Sequence, residues 1–96
     1  MITSTNLVRH ELIGLEMVVN QSKDKRFTGI SGSIVDETKS MMIIESNSRR
    51  IRLVKKDMIF DITIPTGDVV RVCGKILAGR PEERIKKKFS KKWKVI

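Results

Sequence analysis

The sequence predicts a small, strongly bent antiparallel β-barrel of about six strands, with a short N-terminal helix and a basic C-terminal helix. Three observations predict it. Six short apolar runs follow one another between Leu15 and Gly74, and turn residues rather than helical stretches separate them. Gly32 interrupts the second run, where glycine marks a sharp bend or a close backbone approach. A flat sheet of this size would leave long edges open, so closure of the sheet on itself is favoured. With 96 residues the chain forms one domain, 1–96, able to bury roughly 60–65% of its unfolded surface.

Taken in order, Thr5 to Ile13 reads as a short helix, capped by Ser4 or Thr5 and stopped by Gly14, with Leu7, Val8 and Leu12 as a partial apolar face. Leu15 to Asn20 is the first strand, helped by the β-branched pair Val18–Val19. Gln21 to Arg26 is a polar, basic loop. Gly29 to Asp36 is the second strand, with Ile30, Gly32 and Ile34 on one face at period two. Glu37 to Ser40 turns the chain into the third strand, Met41 to Glu45. A polar turn centred on Asn47 leads to the fourth, Arg49 to Val54, in which Ile51 and Leu53 oppose Arg50 and Arg52. Lys55 to Asp57 turns again. Met58 to Ile64 alternates most clearly, Met58, Phe60, Ile62 and Ile64 against Ile59, Asp61 and Thr63. Pro65 ends it, and Thr66-Gly67-Asp68 makes a hairpin turn into Val69 to Gly74, with Val70 and Val72 inward. Ile76 and Leu77 begin one more short extended piece.

The C-terminal segment, Arg80 to Ile96, concentrates the charge. It holds eight of the twenty basic residues and two of the eleven acidic ones, so its local charge is +6 of the chain's +9. Pro81 suits the first helical position, and Glu82 and Glu83 follow where the helix dipole favours carboxylates. Ile85, Phe89 and Trp93 recur every four residues as one narrow apolar stripe, with Lys86, Lys87, Lys91 and Lys94 largely off it. The alternative for this segment is a solvated basic tail.

Composition excludes several classes of function. No run approaches 18 apolar residues, so no transmembrane span is expected. Residues 1–7 lack the pattern of a signal peptide. Cys73 is alone, which excludes an internal disulfide and a cysteine-based zinc site, and makes an intracellular, cytoplasmic location the default. In its apolar run Cys73 reads as a small buried hydrophobe. His10 is the sole histidine, so a histidine pair for acid–base catalysis is impossible within one chain. Asp36–Glu37 is a carboxylate pair able to hold Mg²⁺ in principle, but its place at a strand end favours a turn-shaping role. No glycine-rich phosphate loop precedes a helix.

What remains is cationic charge, and with it a polyanion as partner. Arg49, Arg50 and Arg52 with Lys55 and Lys56 form a basic hairpin. Lys23, Lys25 and Arg26 form a basic loop. Arg80, Arg84, Lys86, Lys87, Lys88, Lys91 and Lys92 form the terminal cluster. Three Phe, one Trp and no Tyr are too few for a base-stacking platform, so if the polyanion is RNA, contact is expected mainly through phosphates and shape.

Three stretches also carry a family resemblance: His10-Glu11-Leu12-Ile13-Gly14-Leu15, Gly29-Ile30-Ser31-Gly32-Ser33-Ile34-Val35-Asp36-Glu37-Thr38, and Arg80-Pro81-Glu82-Glu83-Arg84-Ile85-Lys86-Lys87. Together they resemble the archaeal ribonuclease P protein component 1 family over nearly the whole chain, the last stretch being the most specific. The resemblance implies an Sm-like (SH3-like) barrel. It implies a non-catalytic, RNA-binding subunit of the ribonucleoprotein that removes the 5′ leader from precursor tRNA. The RNA subunit would be the catalyst and hold the Mg²⁺, and this chain would bind no cofactor or metal. The ribonuclease P RNA, precursor tRNA within the complex, and a zinc-ribbon ribonuclease P protein subunit are the implied partners. Leu7, Leu12 and Ile13, with the barrel's edge strands, are the expected contact with that subunit. A ring-forming Sm-type RNA chaperone and a small basic ribosomal protein are the alternatives.

Overall fold

The computed structural model describes residues 12–77 and 93–95. Seven antiparallel strands form one sheet: β1 (Glu16–Ser22), β2 (Ser31–Glu37), β3 (Met41–Ser46), β4 (Arg49–Val54), β5 (Met58–Thr63), β6 (Val69–Cys73) and β7 (Trp93–Val95). Their order is β4-β3-β2-β1-β5-β6-β7.

This order forces the sheet to curl. Three strands separate β4 from β5, yet only the 3-10 turn Lys55–Asp57 joins them. Four flat strand steps would span about 19 Å, whereas a 3-10 turn of this length covers roughly 8 Å. The sheet therefore rolls until the end of β4 meets the start of β5. Two register irregularities assist the bend, between Val19 and Gln21 in β1 and between Ile34 and Asp36 in β2. Gly32 sits beside them, and a Cβ there would collide with the backbone carbonyl of Glu45 on β3. The glycine thus permits the close approach its position foretold.

The concave side holds the core. Met17, Val19, Ile34, Met42, Ile44, Leu53, Phe60, Ile62, Val70 and Val72 are essentially inaccessible, and Leu12 and Leu77 join them from outside the sheet. All four inward positions expected of β5 are buried, with Ile64 just beyond the strand. The β3–β4 hairpin closes on Asn47 and Ser48, both with positive φ (51° and 65°), which is the two-residue geometry that follows strand twist.

Several expectations need correction. The rolled sheet is not closed into a barrel: among the described residues no ladder joins its edge strands β4 and β7. The roll and the flanking leucines already shield the core, and β4 carries exposed Arg50 and Arg52 along its length, a composition that suits an edge. Trp93–Val95 is a strand paired with β6, not the last turn of a helix, with Val95 opposite Val70 and Lys94 opposite Arg71. Its alternating, β-favouring sequence Trp-Lys-Val gives β6 a neighbour it would otherwise lack. Ile76 and Leu77 lie in a 3-10 turn, Gly74–Leu77, rather than an extended piece. Leu12 and Ile13, the end of the expected N-terminal helix, form a turn closed by a hydrogen bond from Leu15 N to Leu12 O. The rest of that helix, and residues 80–92 of the C-terminal one, lie outside the described residues.

The 3-10 turn after β6 packs against the one between β4 and β5. A Cβ on Gly74 would overlap the carbonyl of Lys55. Both partners are backbone, so relief needs a main-chain shift. Gly74→Ala is expected to destabilise the fold by about 2–3 kcal/mol, read as a lower midpoint in urea with an unchanged slope.

Candidate nucleic-acid interface

The outer face of the rolled sheet carries the expected hairpin cations. Alternation along β4 turns Leu53 into the core and leaves Arg50 and Arg52 in solvent, opposite Glu45 and Ile43 of β3. Arg49 follows the hairpin turn and is also exposed. None of the three arginines has an ion-pair partner among the described residues, whereas Lys23, Arg26, Lys55 and Arg71 do. Arg50 and Arg52 line an open groove of about 510 Å³ with Asp36, Thr38, Met41 and Ile43. Guanidinium groups standing over half-buried apolar side chains are free to meet phosphate oxygens bidentately.

Arg52 also lines a second groove of about 220 Å³, with Asp24 and Phe27 of the β1–β2 connection and Asp57. The curl thus brings the basic loop beside β4, although the two lie some 25 residues apart in sequence. The loop itself is organised by Asp24. Its carboxylate accepts from Arg26 N at 3.1 Å, capping the 3-10 turn Lys25–Phe27, and from the Arg26 guanidinium at 2.7–3.2 Å. Hydrogen bonding to Arg26 holds the Asp24 carboxyl below its ordinary range and raises the guanidinium above its own. Lys23 reaches Asp57 at 3.5 Å, while Lys25 is exposed with no ion-pair partner among the described residues. On the reading that Arg52 meets an RNA phosphate, Arg52→Ala should weaken binding and lower its salt slope by about 0.7–0.9, the share of one phosphate.

Other candidates have structural roles. Lys55 does not belong to the basic surface. Its ammonium is fully buried and donates to Glu37 Oε2 at 2.6 Å and to the Thr38 carbonyl at 2.7 Å. Glu37 is likewise buried, and Asp36 Oδ1 accepts from its backbone N–H at 2.8 Å, so the carboxylate pair serves the corner of the fold. Arg71 grips Asp61 through Nε at 2.9 Å and Nη2 at 3.1 Å across the β5–β6 ladder, which raises its pKa. Cys73 faces outward and is half-buried, not a core residue, because it follows Val72 in the alternation of β6. Leu12 is fully buried in the core and so presents no contact surface, whereas the next residue, Ile13, is 43% exposed. Leu7, His10, Arg80, Arg84, Lys86, Lys87, Lys88, Lys91 and Lys92 lie outside the described residues.

Comparison with known proteins decides the family. Residues 5–87 match the family model for ribonuclease P/MRP, subunit p29. This chain belongs to that family. The ribonuclease P protein component 1 of Methanosphaera stadtmanae is 44% identical over 95% of this chain and 98% of its own. That of Methanothermobacter thermautotrophicus is 46% identical over 95% and 99%. The solved structure of Mth11, a homologue of human RNase P protein Rpp29, superposes with a TM-score of 0.59 at 42% identity. It covers 79% of this chain and 99% of that one. The p29 membership agrees with the family resemblance of the three sequence stretches and is consistent with a ribonuclease P subunit. No helix among the described residues is long and apolar enough to cross a membrane.

Proposed function

We propose that this p29-family chain is a non-catalytic, RNA-binding protein subunit of ribonuclease P that supports the catalytic RNA in removing the 5′ leader of precursor tRNA. One observation carries the RNA-binding part: Arg50 and Arg52 stand on the outer face of β4 with no ion-pair partner among the described residues, and Arg52 also borders the basic β1–β2 loop. Cations placed this way lower the phosphate repulsion where RNA strands crowd together. The terminal cluster, Arg80, Arg84 and the lysines from Lys86 to Lys92, extends the same cationic role by charge.

In this reading the RNA subunit would carry the active site and its Mg²⁺, and this chain needs no cofactor of its own. Its protein partner is the zinc-ribbon subunit of the same complex. Exposed Ile13 and the β4 edge are the described surfaces such a partner would use. The site of action is the cytoplasm.

The test pairs binding with cleavage. The chain should bind ribonuclease P RNA with a steep salt dependence and, incubated alone with precursor tRNA and Mg²⁺, should cut nothing. Salt-independent binding would refute the phosphate contact, and specific 5′ cleavage by the protein alone would refute the non-catalytic role.

A further inference from the structure

A second cationic feature lies where β1 and β6 end and β5 begins. A groove of about 310 Å³ opens there. Its floor is the outward cross-strand row Gln21, Ile59 and Cys73. Three ammonium groups from three separate segments border it: Lys23 after β1, Lys56 in the turn between β4 and β5, and Lys75 in the turn after β6. Asp57 is the one carboxylate among the lining residues, so the net lining charge is 3 − 1 = +2. That carboxylate is engaged with Lys23 Nζ, and the Asp57 carbonyl accepts from Lys23 N at 3.1 Å, so Asp57 anchors Lys23 at the rim. Lys56 and Lys75 are exposed and have no ion-pair partner among the described residues.

Ser22 supplies an independent sign. It lines the same groove, and its hydroxyl oxygen is buried with no hydrogen-bond partner among the described residues. Buried hydroxyls are ordinarily satisfied, and a serine O–H donates readily to a phosphate oxygen. A hydroxyl donor at the wall and compact, strongly solvated ammonium groups at the rim suit one tetrahedral oxyanion. Lysine meets a phosphate as a point charge, without the fixed fork that arginine brings to bidentate recognition.

We infer that this notch binds a single phosphate group, held by Lys56, Lys75 and Lys23 with Ser22 Oγ as donor. The phosphate comes either from an RNA backbone, in which case the inference rests on the function proposed above, or from a small free phosphate. None of Ser22, Lys56 or Lys75 lines the Arg50–Arg52 groove, whereas Ser22 and Asp57 also line the groove that Arg52 shares with Asp24 and Phe27.

The experiment uses the full chain, labelled with ¹⁵N and titrated with inorganic phosphate in chloride buffer. Saturating amide shifts are expected at Ser22, Lys23, Lys56 and Lys75, lost in Lys56→Ala/Lys75→Ala and reduced in Ser22→Ala. The control Lys39→Ala, an exposed lysine outside the groove, should retain them. RNA binding is then measured against salt for the same variants. A fall of about 0.7–0.9 in the slope for the double variant assigns the phosphate to the RNA backbone. Local phosphate shifts with an unchanged slope keep the notch and assign it a free phosphate. Absence of localised, saturable shifts overturns the inference, even if the chain binds RNA. Failure of RNA binding with the shifts intact counts against the proposed function and not against the notch.

Discussion

Lys55→Ala should cost about 3–5 kcal/mol of folding stability, because it leaves the buried Glu37 carboxylate without its cation. The corner involved is demanding. Lys55 ends the β4 edge and donates to the end of β2, and its own carbonyl is pressed against Gly74. Its backbone N–H also donates to Ser40 O at 3.0 Å. Removing the ammonium therefore unsettles the point at which the sheet completes its roll. Replacing both partners, as in Glu37→Met/Lys55→Met, should recover most of the loss, since buried ion pairs often do no better than well-packed apolar side chains of similar volume. Urea denaturation of the two single variants and the double variant gives the coupling energy directly. A single Lys55→Ala change that leaves the midpoint unmoved would show that the pair contributes nothing to the fold.

Charge removal in the terminal cluster should give the largest effect on RNA binding. Converting Lys86, Lys87 and Lys88 to Gln removes up to three phosphate contacts, which lowers the salt slope by roughly 2–2.7. Substitution is a cleaner test than truncation after Gly79, because truncation would also remove β7 and expose the edge of β6. The fold should be unaffected, so the thermal midpoint is the control. Three neutralised lysines with an unchanged slope would mean that the cluster serves solubility rather than RNA.

The strands were legible in the sequence because, outside the two bulges in β1 and β2, their inward and outward positions alternate at period two. The β5 run from Met58 to Ile64 and the Val70–Val72 pair needed nothing else. Gly32 likewise announced the close approach it makes to β3. Trp93–Val95 misled because residues spaced by four fit a helical stripe as well as they fit a break followed by a strand. Only the unpaired side of β6 selects the strand. Lys55 was invisible as a core residue because a lysine beside other cations reads as surface. Its partner, Glu37, is 18 positions away, and the pairing of β2, β3 and β4 in succession brings the two together. The candidate site divides the same way. Arg50 and Arg52 were readable from alternation, but their approach to the β1–β2 loop, and the meeting of Lys23, Lys56 and Lys75, arise from tertiary folding. Local spacing carries no trace of either.

The most direct measurement of the central claim is cleavage of precursor tRNA by reconstituted ribonuclease P RNA and its proteins at limiting Mg²⁺, with this chain present or omitted. The zinc-ribbon subunit proposed as its partner is held constant. A protein that neutralises phosphate repulsion should lower the Mg²⁺ concentration needed for half-maximal cleavage, while cutting nothing in the absence of the RNA. A Mg²⁺ requirement indifferent to the chain would contradict the account.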